Sequence, residues 1–332
     1  MKAIIFRDHG GPEVLQLVER DRPGPGPGEV RVRVAVSGVN PADGQARSGI
    51  GHRRPFPEIT PHLDGAGVVD AVGDGVDPSR IGRRVWLYMA AAGRPTGTAA
   101  EFTVVPADQA VPLPDEAGFD VGASLGVPAL TAHRALTVAE DGPRRLHPGA
   151  LDGRVVLAAG GAGAVGHAVI QLARWAGATV IATVSGPEKA ELAAAAGAHH
   201  TINYREGDPA AAIRAIAPDG ADIVAEVALG ANLALDLAVL RTRGTIATYA
   251  NEGGRAVELN VGQTMVRNAR LQFLVLYTAG PRARAAAVRD GALPVGEEHG
   301  LPLLRFPLHR TADAHRAMEA GAVGKVLVDV AP

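Results

Sequence analysis

The sequence predicts an α/β protein in which a doubly wound parallel sheet is inserted into a β-rich body built from both ends of the chain. Three observations predict it. Short apolar runs near 155–159, 179–184, 199–203, 221–226 and 244–249 alternate with helical stretches near 164–176, 187–196, 208–216 and 231–240, the rhythm of parallel strands joined by helical crossovers. The first part of the chain instead shows strands separated by Pro/Gly turns, and the end returns to a small α+β pattern. At 332 residues the chain is long for one core and comfortable for two domains. The expected boundaries are 1–122 and 267–332 for the β-rich part and 123–266 for the doubly wound part.

In chain order, strands are expected at 2–6, 15–19, 29–39 and 66–72. The run Arg22-Pro23-Gly24-Pro25-Gly26-Pro27-Gly28 lies between strands and is too short for a linker, so it reads as a rigid loop. Beyond the alternating region come a helix at 261–268 and an apolar strand at 271–276. A helix at 311–321 with Thr311 as N-cap and a final strand at 325–330 close the chain. No internal repeat is present.

The stretch from Val155 to Gly166 is the most telling. A β-branched strand runs into a turn in which Gly161, Gly163 and Gly166 have the G-x-G-x-x-G spacing, and an amphipathic helix follows. The first glycine permits the tight turn, the second lets a pyrophosphate approach the backbone, and the third lets helix and strand pack closely. The amides at the helix start, at Ala164, Val165 and Gly166, then face the phosphates. With 42 glycines in the chain the spacing alone is weak, but a second strand at 179–184 comes where a βαβ unit of about 30 residues places it. This is a Rossmann dinucleotide site. An NAD site would carry an Asp or Glu after that second strand, to accept from the ribose 2′-OH. Here Ser185 and Lys189 stand instead, a hydroxyl donor and a point charge suited to a 2′-phosphate, while Glu188, the nearest acid, follows Pro187 in the first turn of the next helix, so NADPH is favoured; the other reading of Lys189 is a solvated helix residue. Lysine occurs only at positions 2, 189 and 325 in a chain whose other basic residues are arginine.

Composition excludes several classes. A net charge of −2 and a pI near 6.6 give no reason to expect nucleic acid or an anionic membrane as partner. No apolar run approaches the ~20 residues of a spanning helix, and the first residues lack the pattern of a signal peptide, so a cytoplasmic protein is expected. The absence of cysteine removes disulfides, thiolate nucleophiles and Cys-ligated zinc together.

Four segments together resemble the zinc-independent quinone oxidoreductases, the zeta-crystallin type, of the medium-chain dehydrogenase/reductase superfamily. They are Ala35-Val36-Ser37-Gly38-Val39-Asn40-Pro41-Ala42-Asp43, Asp64-Gly65-Ala66-Gly67-Val68-Val69, the run from Gly126 to Leu136, and His200-Thr201-Ile202-Asn203-Tyr204-Arg205-Glu206. The resemblance implies that the β-rich part is a GroES-like catalytic domain. It also implies Asn40 and Thr131 beside the nicotinamide as catalytic donors, Tyr204 near the 2′-phosphate, and Asn251 near the nicotinamide ribose. Other readings of these four are an Asx turn at Asn40, a helix hydroxyl bonding its own backbone at Thr131, a half-buried aromatic at Tyr204 and a turn residue at Asn251. Zinc alcohol dehydrogenases of the superfamily carry a catalytic Cys where Asn40 stands and a His-Glu pair where Leu63-Asp64 stand, so no metal is expected. His62 and Asp64 offer two ligands where catalytic zinc needs three.

Without a Lewis acid nothing lowers the pKa of an alcohol, whereas a quinone or enone accepts hydride from the nicotinamide directly. The expected activity is NADPH-dependent reduction of a quinone. The alternatives are an enone or 2-alkenal as acceptor, or a noncatalytic NADPH-binding sensor or structural protein. Two aromatics common in the family are missing, one in Gly44-Gln45-Ala46-Arg47-Ser48-Gly49 and one near Gly51-His52-Arg53-Arg54. The resemblance implies a homodimer, with the strand at 271–276 placed to extend the sheet across a two-fold axis.

Overall fold

The structure is a computed structural model that describes residues 1–50, 56–251, 256–291 and 300–330. His52, Arg53 and Arg54 lie outside the described residues. The chain divides into two units, Met1–Val127 with Gly296–Pro332, and Pro128–Val295.

The second unit is built on a parallel sheet of six strands in the order His200–Asn203, Thr179–Val184, Val155–Ala159, Ala221–Glu226, Leu240–Thr248, Arg270–Phe273. This is the doubly wound order 3-2-1-4-5-6 of the Rossmann fold. Alternation along each strand feeds two separate cores. Val156, Ala158, Val180, Ala182, Val184, Ile223 and Ala225 pack with the helix Ala164–Trp175, while Leu157, Ile181, Val224 and Ile246 pack with Pro209–Ile216 and Leu229–Val239. Burial on both faces explains why these strands read as continuous apolar runs rather than alternating ones.

The first unit carries a seven-stranded sheet. Its path runs Leu303–Pro307, Lys325–Asp329, Glu29–Gly38, Asp64–Val72, Arg84–Leu87, Ala110–Pro112, and Phe102–Pro106 also pairs with Glu29–Gly38. All pairs are antiparallel except the first. Lys2–Ile5 and Gln16–Glu19 form a separate antiparallel pair. The long strand Glu29–Gly38 shows the period-two signal plainly: Val30, Val32, Val34 and Val36 are buried, and Arg33 is exposed. Asp64, at the start of the next strand, is thereby placed opposite Gly38, two residues before Asn40.

The two units end elsewhere than the boundaries expected from the sequence, and one expected helix cap is corrected. The second boundary lies beyond 267: Arg270–Phe273 pairs in parallel with Leu240–Thr248, and the unit runs on through the helix Pro281–Gly291. The first boundary falls at Val127, inside the helix Phe119–Leu136, rather than at 122. Thr311 is the first residue of the helix Thr311–Glu319 and not its cap; Arg310 holds the cap position, and the Thr311 hydroxyl donates to the carbonyl of Leu308 (2.7 Å). The strands Arg84–Leu87, Phe102–Pro106, Ala110–Pro112 and Leu303–Pro307 are five residues or shorter, too short for a periodic signal.

Candidate active site and nucleotide-binding turn

The glycine turn forms as its spacing predicts. The amide of Gly161 donates to Thr183 (3.0 Å) and that of Gly163 to Gly160 (2.9 Å), folding the chain over the end of the strand Val155–Ala159. Gly163 is the N-cap of the helix Ala164–Trp175, with no side chain capping it. The first intrahelical bond runs from His167 to the carbonyl of Gly163 (2.8 Å), so the amides of Ala164, Val165 and Gly166 precede it and have no acceptor within the helix. Gly163 is exposed, and these three N–H groups at a positive helix end fit a diphosphate.

Ser185 follows the end of Thr179–Val184, and the amide of Tyr204 donates to the carbonyl of Val184 (3.0 Å), so the two leave adjacent strand ends at the edge that carries the glycine turn. Lys189 is the third residue of the helix Pro187–Ala195, whose first turn also holds the exposed Glu188. Tyr204 is exposed rather than half-buried. Asn251 accepts from the amide of Gly230 (2.8 Å), so its oxygen secures the start of the helix Leu229–Val239. Thr131 lies in the helix Phe119–Leu136. Ser124 and Thr137 of that helix return their hydroxyls to its own backbone, at 2.7 and 3.0 Å, but the Thr131 hydroxyl makes no hydrogen bond among the described residues. It remains available to a ligand.

In the first unit Asn40 sits at the N-terminus of the helix Pro41–Ser48, where Asp43 accepts from its amide (2.7 Å) and from that of Leu63 (3.1 Å). The Asn40 side chain is itself buried. Its Nδ2 donates to Asp64 (2.7 Å), and its Oδ1 accepts from the buried ammonium of Lys325 (2.7 Å), which also donates to the Val39 carbonyl (3.2 Å). Asp64 accepts at both oxygens from the amide of Val127, each at 2.9 Å. Gly126 allows this approach, since a Cβ there would lie 2.1 Å from the carboxylate. Burial pushes Asp43 up to about 7, helped by the charge of Asp64, and Asp64 up to about 6 against the pull of Lys325. Burial also lowers Lys325, against the attraction of both carboxylates.

A second buried chain of hydrogen bonds has a direction. Arg47 can only donate, so its Nε–H to His315 Nδ1 (3.4 Å) puts the imidazole proton on Nε2. That proton is donated to His62 Nε2 (3.0 Å), whose own Nδ1–H donates to Ser37 (2.8 Å). Ser37 donates to Thr98 (2.7 Å), and Thr98 to the carbonyl of Asp64. Both rings are thereby held neutral and stacked, with centroids 5.2 Å apart. Burial lowers His62 far below its usual value and His315 to about 3, with neighbouring positive charge acting the same way.

Both nitrogens of His62 and both oxygens of Asp64 are engaged within the fold, and the neutral Asn40 amide bridges Asp64 and Lys325. Among the described residues no group of three or more His, Cys, Asp or Glu side chains is arranged to hold a metal ion. Lys325, Asp43 and His315 were missed as site residues. The available signal was Lys325 itself, a lysine opening an apolar strand in a chain with two others.

A Rossmann sheet with a glycine turn, together with a GroES-like body that carries a buried polar centre, defines an oxidoreductase of the medium-chain dehydrogenase/reductase superfamily. Residues 26–115 match the alcohol dehydrogenase GroES-like domain, and 164–290 match the family described as zinc-binding dehydrogenase. Rattus norvegicus quinone oxidoreductase is 32% identical over 338 residues, covering 99% of this chain and 97% of the relative. A 2-haloacrylate reductase from Burkholderia sp is 32% identical over 334 residues, covering 95% of each. Among solved structures, an NAD-dependent alcohol dehydrogenase superposes with a TM-score of 0.86 at 28% identity, covering all of both chains. Escherichia coli quinone oxidoreductase complexed with NADPH superposes with a TM-score of 0.79 at 27% identity, covering 99% of this chain and 100% of the other. The chain belongs to the zeta-crystallin-like quinone oxidoreductase family. Among the described residues no helix is long and apolar enough to cross a membrane.

Proposed function

We propose that the chain is an NADPH-dependent reductase that passes hydride to a quinone without a metal. The observation that carries the metal-free reading is the engagement of His62, Asp64 and Asn40 with one another's neighbours inside the fold, which leaves no ligand set for a Lewis acid. Bound NADPH supplies the hydride, from nicotinamide C4. The amides of Ala164, Val165 and Gly166, with Gly161 and Gly163 giving access, hold the pyrophosphate. Ser185, Lys189 and Tyr204 hold the 2′-phosphate, and Asn251 lies by the nicotinamide ribose. The Thr131 hydroxyl donates to the nicotinamide. Asn40 offers the N–H that Asp64 does not take, a fixed dipole for the charge that develops as a carbonyl acceptor is reduced.

Lys189→Ala is expected to raise the KM for NADPH and leave that for NADH nearly unchanged, since only the phosphorylated ribose uses the lysine. Equal effects on both cofactors would remove the 2′-phosphate assignment.

A second reading, reduction of a conjugated alkene, is favoured by the named activity of the Burkholderia relative and by the absence of an aromatic in the helix Pro41–Ser48. The test is loss of nicotinamide absorbance from NADPH and from NADH with a benzoquinone, an ortho-quinone, a 2-alkenal and a plain aldehyde. Selective use of NADPH with a quinone supports the first reading, and turnover of the alkenal alone selects the second. Tight NADPH binding without turnover of anything makes the protein a noncatalytic NADPH-binding sensor or structural protein.

The same reading makes the protein a cytoplasmic homodimer. Arg270–Phe273 ends the six-stranded sheet, and Phe273 and Val275 beside it are 64% and 54% exposed, along with Met265 and Val266. Sedimentation at micromolar concentration should give twice the chain mass, and Phe273→Glu should halve it. A monomer in the unaltered protein would end the dimer reading.

A further inference from the structure

We propose that Lys325 is the positioning residue for the Asn40 amide, fixing which end of that amide serves as the donor. The inference rests on the reading of Asn40 as a donor to the acceptor molecule. The two ends of an asparagine amide have nearly the same shape, so the partners alone decide its orientation. Lys325 Nζ can only donate and lies 2.7 Å from Oδ1, while a carboxylate oxygen of Asp64 lies 2.7 Å from Nδ2. The two contacts agree on one orientation and leave one Nδ2–H without a partner among the described residues. Lys325 also donates to the carbonyl of Val39 (3.2 Å), which ties the lysine to the backbone just before Asn40.

The charges that face the ammonium are Asp64 from the strand Asp64–Val72, Asp43 from the helix Pro41–Ser48, and His62, which is neutral. All are buried, and Lys325 is the cation that offsets the two carboxylates. Removing it has two consequences at once. Oδ1 loses its donor, and Asp64 takes up a proton more readily, which turns an acceptor for Nδ2 into a donor that competes for the other end. Each frees the amide to turn its oxygen where its N–H should be.

The experiment compares Asn40→Ala, Lys325→Met and Lys325→Gln by steady-state kinetics with NADPH and the best acceptor of the panel, with thermal melts as a control for folding. Asn40→Ala should lose on the order of 100-fold in kcat, as removal of a preorganised donor does. Lys325→Met keeps the stem but no donor. It should lose on the order of tenfold in kcat through misorientation, with the KM for NADPH unchanged. The acidic limb of its kcat profile should move to higher pH, because Asp64 is easier to protonate without the cation. Lys325→Gln keeps an N–H for Oδ1 and should recover most of the loss at high pH. It also carries the test should the methionine variant fail to fold. Full activity of Lys325→Met beside a crippled Asn40→Ala overturns the positioning role and leaves the Asn40 reading standing. An unaffected Asn40→Ala removes the donor reading and the inference with it. Equal losses in Lys325→Met and Lys325→Gln that follow their melting temperatures, with no shift of the pH limb, reduce Lys325 to a purely structural group.

Discussion

Gly166→Ala is expected to weaken the fold and Gly163→Ala to spare it, although both remove a glycine of the same motif. A Cβ on Gly166 would lie 2.3 Å from the carbonyl oxygen of Gly160, 2.9 Å from its carbon and 3.2 Å from the Cα of Gly161. All three are backbone atoms, so the start of the helix must lift off the end of the strand. Overpacking of this kind costs about 1–3 kcal/mol. At Gly163 the nearest atom is 3.4 Å from the added Cβ, an ordinary contact, and its φ of −81° and ψ of 157° suit any residue. What alanine changes there is the exposed surface where the pyrophosphate is proposed to lie. Urea melts should show Gly166→Ala destabilised and Gly163→Ala close to wild type, while NADPH titration should show weakened binding in both. Wild-type affinity in Gly163→Ala would mean that the phosphates lie elsewhere, and equal destabilisation would mean that the packing argument is wrong.

The second large effect is expected in the chain from Arg47 to Asp64. Arg47→Met removes the donor to His315 Nδ1 and to the carbonyl of Gly10; its third partner, Glu319, is 40% exposed and is rehydrated. The buried His315 Nδ1 left without a donor costs about 1–3 kcal/mol, and the part-buried carbonyl of Gly10 less. The pH dependence has a definite sign. His62 and His315 stay neutral in the folded state while the unfolded chain protonates them below about 6.5, so their contribution is full above that pH and falls as the pH drops below it, that of His315 being lost toward pH 3. Asp43 and Asp64 act in the opposite sense. With folded values near 7 and 6, their contribution is present below the unfolded value of 3.8 and is lost as pH rises through 6 to 7. Between pH 4 and 6 the two pairs therefore oppose each other. His315→Asn removes one proton from that balance, so its unfolding free energy should gain on that of the wild type, by about 1.4 kcal/mol per pH unit, as pH falls from 6 to 4. Parallel curves for variant and wild type would show that His315 is charged in the folded protein.

Most of the doubly wound half was legible, though the strand Leu240–Thr248 begins four residues before the expected one and the helix Pro281–Gly291 was not foreseen. The strands Val155–Ala159, Thr179–Val184 and Ala221–Glu226 fall where the apolar runs were, because burial on both faces leaves a signal that needs no partner to be read. The glycine turn was legible for a related reason: its function lies in backbone conformation, and a fixed spacing of glycines specifies it. The β-rich half was less so. Its strands of three to five residues show no period, and their pairing is set by the neighbours they meet. Arg270–Phe273 was seen as a strand and assigned to the other unit, since its sequence does not say which edge it joins.

The sequence by itself determined the parallel sheet, the conformation of the glycine turn, the absence of thiol chemistry and the family, all properties carried by local pattern or by residue type. Tertiary structure decided the polar centre. Asn40, Asp64 and Lys325 are separated by as many as 285 positions, and only the pairing of Lys325–Asp329 with Glu29–Gly38, and of that strand with Asp64–Val72, brings them within hydrogen-bond distance. The same holds for His62 and His315, 253 positions apart. A hydrogen bond of that span depends on the register between strands, and register is a property of the folded sheet that neither strand carries alone.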